Sequence, residues 1–205
     1  YGVFVDSISH VNFDMAAGNN AAFSLIVPDS ALDYYVIAGP ELKSVITRYA
    51  GLVGFPILPP KWAFGLWMSS GFLRDSAEQV VERGRSIREH KVPSDVLHLD
   101  SHWQRFGCWS DLIWDEEVFP DPESMIRQVK AMGFKVCLWM NPYLGVESER
   151  FVEATTKGYL LKTPQGEPYV LDMFGGVHPE EGIIDMTNPE ALAWLEESLR
   201  SLLRM

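Results

Sequence analysis

Polar and aromatic side chains follow three apolar runs of this chain, each just before a predicted turn. The runs are Ala63–Phe72, Val96–Trp103 and Val136–Tyr143. A strand that is apolar in its middle and polar at its end is typical of a parallel strand buried on both faces, with its chemistry at the carboxyl edge. Asp100 directly follows Val96–Leu99. Because a carboxylate is costly to bury alone, we expect Asp100 to face a cleft and to accept hydrogen bonds there.

The side chains near these strand ends suit a carbohydrate ligand. Sugars present flat C–H faces flanked by hydroxyl groups, which match an aromatic ring beside a carboxylate that accepts hydrogen bonds. The aromatic candidates are Trp67, Phe72, Trp103, Trp109, Trp114, Trp139 and Tyr143, and the polar candidates are Asp100, Asp111, Asp115, Asn141 and Asp172. An aromatic residue near a strand end can equally be packed in the core or in a loop, so both interpretations stay open.

The composition is that of a globular, acidic chain. Of its 205 residues 47% are hydrophobic and 22% are charged, which is enough for a packed core and unlike a disordered protein. Seventeen basic residues against 28 acidic ones give a net charge of -11, so we expect no nucleic-acid partner, which would need clustered basic side chains. The longest apolar stretches reach about ten residues, short of the roughly 20 that a membrane helix needs, so no membrane partner is expected.

The cysteines and histidines predict no disulfide framework, metal site or cofactor. Cys108 and Cys137 are too few for a framework and lack CxxC spacing, which favours a reducing compartment. The chain begins at Tyr1 without the basic segment of a secretory leader, and we therefore expect a cytoplasmic protein. The five histidines show no ligand spacing with each other. They are His10, His90, His98, His102 and His178.

Residues 1–38 read as a region of short antiparallel strands. Apolar segments alternate there with Gly, Asn, Pro and Asp. The predicted strands are Tyr1–Val5, Val11–Met15, Ala22–Val27 and Leu32–Ile37. Residues 39–60 should form a linker helix, with Pro40 at its first helical position, and then an extended connector, because the prolines between Phe55 and Pro60 exclude both helix and central strand. We place the domain boundary at this connector.

Residues 61–205 read as four strand–helix units. Asp75 and Glu78 have capping-box spacing before the first helix, and Asp121 and Asn188 precede Pro-Glu pairs that open later helices. The fourth strand is predicted at Ile183–Met186. Helices that alternate with buried strands pack on a parallel sheet through right-handed crossovers, so the fold class is α/β.

The loops decide between two α/β architectures. No glycine-rich turn of a nucleotide-binding type follows the first strand, so a (β/α)8 TIM barrel is favoured over a doubly wound sheet. A complete barrel typically needs about 250 residues. We therefore expect residues 61–205 to be the truncated, N-terminal part of a barrel and the whole chain to be an internal fragment of a longer protein.

An ordered series of motifs resembles glycoside hydrolase family 31, in its α-xylosidase and α-glucosidase branch. The motifs are LPPKWAFGLW at 58–67, HLDSHW at 98–103, FPDPESM at 119–125, GFKVCLWMNPY at 133–143, KGYLLK at 157–162 and DMTNP at 185–189. Each is weak alone, and their order and spacing make the resemblance specific. It extends to the first residues of the chain, which resemble the end of the antiparallel β-sandwich domain that precedes the barrel in this family.

The resemblance implies a retaining mechanism with two carboxylates, a nucleophile and a general acid/base, roughly 5–5.5 Å apart. In the family the nucleophile lies in a KxDxGE motif on the fourth barrel strand, and this chain has no such motif. We therefore expect both catalytic residues beyond Met205 and predict that the fragment itself is inactive. The implied function is hydrolysis of terminal α-linked xylose or glucose from oligosaccharides or glycosides.

The resemblance also implies which residues bind the sugar. Asp100 matches the Asp that accepts hydrogen bonds from hydroxyls of the sugar being cleaved, Trp139 and Phe72 match aromatic residues of the same site, and Trp109 matches a loop aromatic near its entrance. His102 stands, after Ser101, where α-xylosidases of the family carry Cys-Phe. A small Ser101 could leave room for a hydroxymethyl group at C5, with His102 as a polar neighbour.

Alternatives remain at this point. Asp100 could instead cap its loop, Trp139 could be packed in the interior, and His102 could face solvent. The parent protein could be a non-catalytic carbohydrate-binding relative, or the chain an inactive gene fragment. A homo-oligomer of the full-length protein is left open.

Overall fold

The computed structural model describes residues 1–204, which form two compact units. The first runs from Tyr1 to Pro59 and the second begins at Pro60. None of the helices in residues 1–204 is long and apolar enough to cross a membrane.

The first unit contains two strand pairs and one helix. Strand β1 (Gly2–Val5) pairs antiparallel with β4 (Tyr34–Ile37), and β2 (Asn12–Met15) pairs antiparallel with β3 (Phe23–Ile26). The predicted short antiparallel strands are thus confirmed.

Helix α1 (Leu42–Val53) begins two residues later than the sequence predicts. Glu41 has an extended backbone, with φ -147° and ψ 163°, and acts as the N-cap. Its carbonyl accepts the first helical hydrogen bond, from the amide of Val45 at 3.2 Å. Pro40 therefore lies outside the helix, and the prediction that it occupies the first helical position is wrong.

The second unit contains six strands and four helices. In chain order they are β5 (Trp67–Ser69), α2 (Ala77–Glu89), β6 (Val96–Leu99), α3 (Pro122–Ala131), β7 (Lys135–Leu138), β8 (Tyr143–Gly145), α4 (Glu149–Lys157), β9 (Val170–Leu171), β10 (Glu181–Ile183) and α5 (Pro189–Leu202). Two short 3-10 turns, Lys61–Phe64 and Ser101–Trp103, precede β5 and follow β6.

Strands β5, β6 and β7 form a parallel sheet in that order. Leu97 and Leu99 of β6 join the buried core together with Val80 of α2 and Val129 of α3. Helices α2 and α3 also pack against each other. Strand order follows chain order without a reversal, and both crossover helices share one core, an arrangement found in a barrel and also in one half of a doubly wound sheet.

Only the central strand of this sheet has the expected burial. Val96, Leu97 and Leu99 are at most 2% exposed, whereas Trp67 in β5 is 42% exposed and β7 is half-buried beyond Lys135. Within residues 1–204, β5 and β7 each have one strand neighbour in the parallel sheet, while β6 has two. The prediction that all three strands are buried on both faces is therefore correct for β6 and wrong for its neighbours.

The start of α2 differs from the predicted capping box in a way that matters for the site. Ser76, not Asp75, is the N-cap, and its hydroxyl accepts from the amide of Gln79 while the Gln79 side chain accepts from the amide of Ser76. Asp75 is instead buried in a bidentate contact with Arg83, at 2.8 and 2.6 Å. The predicted helix starts after Asp121 and Asn188 are confirmed, and the structure shows both residues as N-caps, with side chains that accept from the amides of Ser124 and Glu190.

The predicted fourth parallel strand is wrong. The structure places β10 in a separate antiparallel sheet of order β8, β10, β9, and only its last residue, Ile183, falls in the predicted range Ile183–Met186. The link from β7 to β8 is residues 139–142, which is far too short for a crossover to a parallel neighbour. We call this antiparallel sheet, together with residues 172–180 between β9 and β10, the cap.

Candidate functional site

Asp100 and Trp139 lie side by side at the carboxyl edge of the parallel sheet. They directly follow Leu99 and Leu138, which are paired in the register of β6 and β7. The amide of Trp139 donates to the carbonyl of Leu99 at 2.9 Å, so the pairing continues one step beyond the strands. Both side chains are half-buried. The strand-end pattern in the sequence therefore predicted correctly that Asp100 and Trp139 lie close together.

The carboxylate of Asp100 has one oxygen engaged and one available. Its Oδ1 accepts from the amide of Ser101 at 2.8 Å and so caps the 3-10 turn Ser101–Trp103. Its Oδ2 takes part in no hydrogen bond within residues 1–204. The capping role that the sequence left open is thus present, and it leaves half of the carboxylate free to accept from a ligand.

Two ion pairs hold the loops beside Asp100. Asp75 accepts from Ser70 at 2.6 Å in addition to its bidentate contact with Arg83, which fixes the residues that follow β5. Arg74 donates to Asp115 at 2.9 Å, with Asp115 only 10% exposed. Bidentate and buried ion pairs restrict geometry strongly. The loop that carries Phe72 is therefore anchored on both sides.

Trp109 lies at the centre of an aromatic cluster above these strand ends. It is 1% exposed. Six rings surround it, with centroid distances of 6.4 Å to Phe72, 5.5 Å to His102, 5.8 Å to Phe106, 5.7 Å to Trp139, 5.3 Å to Phe174 and 4.0 Å to His178. Four of the five predicted binding residues, Phe72, His102, Trp109 and Trp139, are thus in one cluster, and Asp100 lies two residues before His102.

Exposure separates the roles that these residues can have. Phe72 is 65% exposed, and Trp139 and His102 are half-buried, so each offers surface to a ligand. Trp109 offers almost none, which favours a supporting role over direct contact. Ser101 is also fully buried, so the extra room that its small side chain was expected to give does not open onto the cleft.

His102 is the titratable group nearest to Asp100 in this cluster. Burial lowers the pKa of its imidazole, an effect that the Asp100 carboxylate opposes and that Arg74 strengthens. The ring is therefore mostly neutral at pH 7 and has one nitrogen that donates and one that accepts. A neutral imidazole beside a carboxylate suits hydroxyl groups, which also both donate and accept.

The loop that carries Trp109 is held by close backbone approach and by side-chain hydrogen bonds. A Cβ atom at Gly145 would clash with the carbonyl oxygen of Gly107, so β8 and this loop are in contact at glycines. Ser110 donates to Asn141 at 2.6 Å. Asp111 is buried, which raises the pKa of its carboxyl to about 6. Three of the polar candidates, Asn141, Asp111 and Asp115, thus have bonds within the loops.

The structure adds two residues that the sequence did not select. His178 and Glu181 are buried in the cap, and His178 stacks on Trp109. Both residues are far from Trp109 along the chain, and residues 172–180 show no periodic pattern. The sequence therefore gives no signal for this contact.

A separate apolar cavity is not part of this site. It has a volume of about 470 Å³ and lies between β7 and α5, with apolar lining that includes Trp67, Leu138 and Leu199. Asp100, His102 and Trp109 do not line it. In residues 1–204 no group of three or more His, Cys, Asp or Glu side chains could hold a metal ion.

Comparisons with known proteins identify the family. The model of the glycosyl hydrolases family 31 TIM-barrel domain matches residues 56–205. The chain is 40% identical over 206 residues to the alpha-xylosidase XylQ of Lactiplantibacillus pentosus, a match that covers 100% of this chain and 27% of that protein. It is 29% identical over 204 residues to an alpha-xylosidase of Emericella nidulans, covering 99% of this chain and 26% of that protein.

A solved structure agrees with these sequence relatives. The GH31 dextranase FjDex31A of Flavobacterium johnsoniae, complexed with glucose, matches with a TM-score of 0.90 at 25% identity, over 98% of this chain and 24% of that one. The chain spans about a quarter of the length of these relatives. The predicted resemblance is confirmed, and the chain belongs to glycoside hydrolase family 31.

Proposed function

We propose that this chain is part of a longer, retaining α-glycosidase that removes terminal α-linked xylose or glucose from oligosaccharides or glycosides. The observation that carries the proposal is the position of Asp100, which has one free carboxylate oxygen beside the half-exposed ring of Trp139 at the carboxyl edge of the sheet. In barrel enzymes this edge holds the active site. The names of the two α-xylosidase relatives support the reaction class.

Each residue has a definite part in this proposal. Asp100 accepts hydrogen bonds from sugar hydroxyls through Oδ2, and Trp139 packs against a C–H face of the ring. Phe72 covers the sugar from the loop after β5, and His102 lies near its C5 substituent. Trp109 supports the three rings from behind, because it is buried among them.

The proposal assigns the catalytic carboxylates to the parent protein outside this chain. No KxDxGE motif occurs in residues 1–205. The first unit, by the same resemblance, is the end of a β-sandwich domain with its linker helix, and the second unit is the N-terminal part of the barrel. The isolated 205-residue chain should therefore hydrolyse no aryl α-glycoside.

The test uses the full-length protein with 4-nitrophenyl α-xyloside and α-glucoside. We expect turnover of at least one substrate, with the α-anomer of the sugar as the first product by NMR, because retaining enzymes conserve anomeric configuration. Sugar binding without turnover would indicate a non-catalytic relative instead. Turnover by the isolated chain would contradict the assignment of both carboxylates to the rest of the protein.

A further inference from the structure

The cap places two of its rings directly on Trp109. Phe174 and His178 both belong to residues 172–180, and their ring centroids lie 5.3 and 4.0 Å from that of Trp109. The imidazole of His178 is nearly parallel to the indole, at an interplanar angle of 16°. Phe174 meets it edge-on at 88°. One face of Trp109 is thus covered by a flat polar ring rather than by an aliphatic side chain.

His178 is itself held from behind. Its Nδ1 lies 3.0 Å from the carbonyl oxygen of Pro179, which assigns the proton of the neutral ring to Nδ1. The same nitrogen lies 3.5 Å from Oε1 of Glu181, and both side chains are 0% exposed. The imidazole therefore cannot turn away from Trp109 without breaking a contact at Nδ1.

This arrangement leaves polar atoms buried without partners. Among residues 1–204, His178 Nε2, Trp109 Nε1 and both carboxyl oxygens of Glu181 have no hydrogen-bond partner. Such groups are rare in folded proteins because each costs free energy. An aliphatic side chain at 178 or 181 would avoid this cost, so stability alone does not explain these two residues.

Trp109 contacts His178 on one side and rings that border the cleft on its other sides. On its other sides the indole meets Trp139 at 5.7 Å and 70°, and His102 at 5.5 Å and 84°. Trp139 and His102 follow neighbouring strands and are the two half-exposed rings beside Asp100. Any tilt of Trp109 would therefore move the two rings that border the sugar.

We propose that His178, held at Nδ1 by the carbonyl of Pro179 and in contact with Glu181, is a positioning residue that sets sugar specificity by fixing Trp109 and, through it, Trp139 and His102. This inference rests on the proposed glycosidase function. A xyloside and a glucoside differ by one hydroxymethyl group at C5. Trp139 and His102, which form the wall of the proposed sugar site, can discriminate this difference if they are rigid and cannot if they are mobile. His178 touches no substrate in this account, and its effect passes through the shape of the wall.

The experiment compares His178→Ala and His178→Phe in the full-length protein. The control is Val177→Ala, which changes the exposed neighbour in the same loop. The readouts are KM and kcat for 4-nitrophenyl α-xyloside and α-glucoside, with near-UV circular dichroism to establish folding. We expect His178→Ala to raise KM about tenfold with a smaller change in kcat, and to shift the ratio of the two kcat/KM values at least about fivefold, because the wall loses its support.

Two further variants separate the effect of a ring stacked on Trp109 from the effect of side-chain volume at position 178. His178→Phe keeps a flat ring on Trp109 but loses both contacts at Nδ1, so it should shift the substrate ratio in the same direction as His178→Ala and by a smaller factor. Where His178→Ala does not fold, His178→Leu replaces it, since it fills the space without a flat ring and should shift the ratio in the same way.

The outcomes that overturn the inference differ from those that overturn the proposed function. An unchanged substrate ratio in folded His178→Ala or His178→Leu contradicts the inference alone, as does an equal shift in Val177→Ala. A wild-type protein that hydrolyses neither substrate contradicts the proposed function.

Discussion

Polar side chains are accessible at the strand ends of the parallel sheet and buried in the cap. At the strand ends, Asp100 and His102 are half-buried, and within residues 1–204 one oxygen of Asp100 is bonded and the other has no partner. In the cap, Glu181 is fully buried, and among residues 1–204 neither of its carboxyl oxygens has a hydrogen-bond partner. The first region keeps its polar groups at the surface, where a ligand can reach them, and the second has removed them from water.

This difference indicates that residues at the strand ends are suited to contact a sugar and that residues of the cap are suited to support them. A carboxylate that meets sugar must be accessible, as the half-buried Asp100 is. A carboxyl group that only packs against a neighbour can be buried and protonated, and burial raises the pKa of Glu181 to about 7. Substitutions at the strand ends should therefore change kinetics, and substitutions in the cap should change stability or specificity.

The largest expected effect is at Asp100. In the full-length protein, Asp100→Asn should lower kcat/KM by about 100-fold, on the order of 3 kcal/mol, because a charged acceptor is lost where sugar hydroxyls bind most strongly in the transition state. The melting temperature should change little, since an amide oxygen can still accept from the amide of Ser101.

Asp95→Asn is the matched control, because it makes the same chemical change at the opposite end of β6. It should leave kcat/KM within about twofold of wild type, since barrel active sites lie at the carboxyl edge. Near-normal kinetics together with a marked loss of thermal stability in Asp100→Asn would assign Asp100 to loop capping alone.

A smaller effect is expected where the cap meets the loop of Trp109. Gly145→Ala would drive a methyl group into the carbonyl of Gly107 and should cost roughly 1–3 kcal/mol of stability. Gly51→Ala is the control, because no atom lies within 4 Å of its Cβ position in α1 and alanine favours a helix. Thermal unfolding of both variants measures the difference. Equal melting temperatures would show that the approach of β8 to this loop is not tight.

A comparable effect on stability concerns the pH dependence set by Glu181. Its folded pKa of about 7 lies above the ordinary value of 4.5, so between these pH values the folded state binds more protons than the unfolded state. Stability should therefore fall as pH rises from about 4.5 to 7, by up to about 3 kcal/mol, and then level off.

Glu181→Gln should remove the part of this slope between pH 6 and 7, because the amide imitates the protonated carboxyl and does not titrate. Below pH 6 a slope should remain, because burial also raises the pKa of Asp111, to about 6. Glu180→Gln, at the exposed neighbour, should leave the slope unchanged. Melting temperatures of the three proteins from pH 5 to 8 provide the test. A wild-type slope that persists in Glu181→Gln would mean that another group is responsible.

The sequence predicted those features that depend on local pattern. Helices begin after Asp121 and Asn188 as expected, since a helix start depends only on the next few residues. Asp100 and Trp139 are adjacent as expected, since parallel strands end at one edge of a sheet. Asp75 was assigned to the wrong role because Ser76 caps equally well, and only the position of Arg83 in three dimensions decides between them.

The remaining features depend on contacts between distant segments. The burial of Trp109 requires rings from the loops after β5 and β6 and from the cap, and no single segment of the sequence contains that information. Strand β10 was assigned to the barrel because a short apolar run does not specify its partner, whereas its pairing with β8 follows from the short link after β7.

The most direct test of the account is a crystal structure of the full-length protein with a non-hydrolysable α-xyloside or α-glucoside bound. The account predicts a sugar hydroxyl hydrogen-bonded to the free oxygen of Asp100, a C–H face of the ring against Trp139, and Trp109 behind them without contact to the sugar. A sugar that makes no hydrogen bond to Asp100 and binds elsewhere in this unit would contradict it. The apolar cavity between β7 and α5 is one such place.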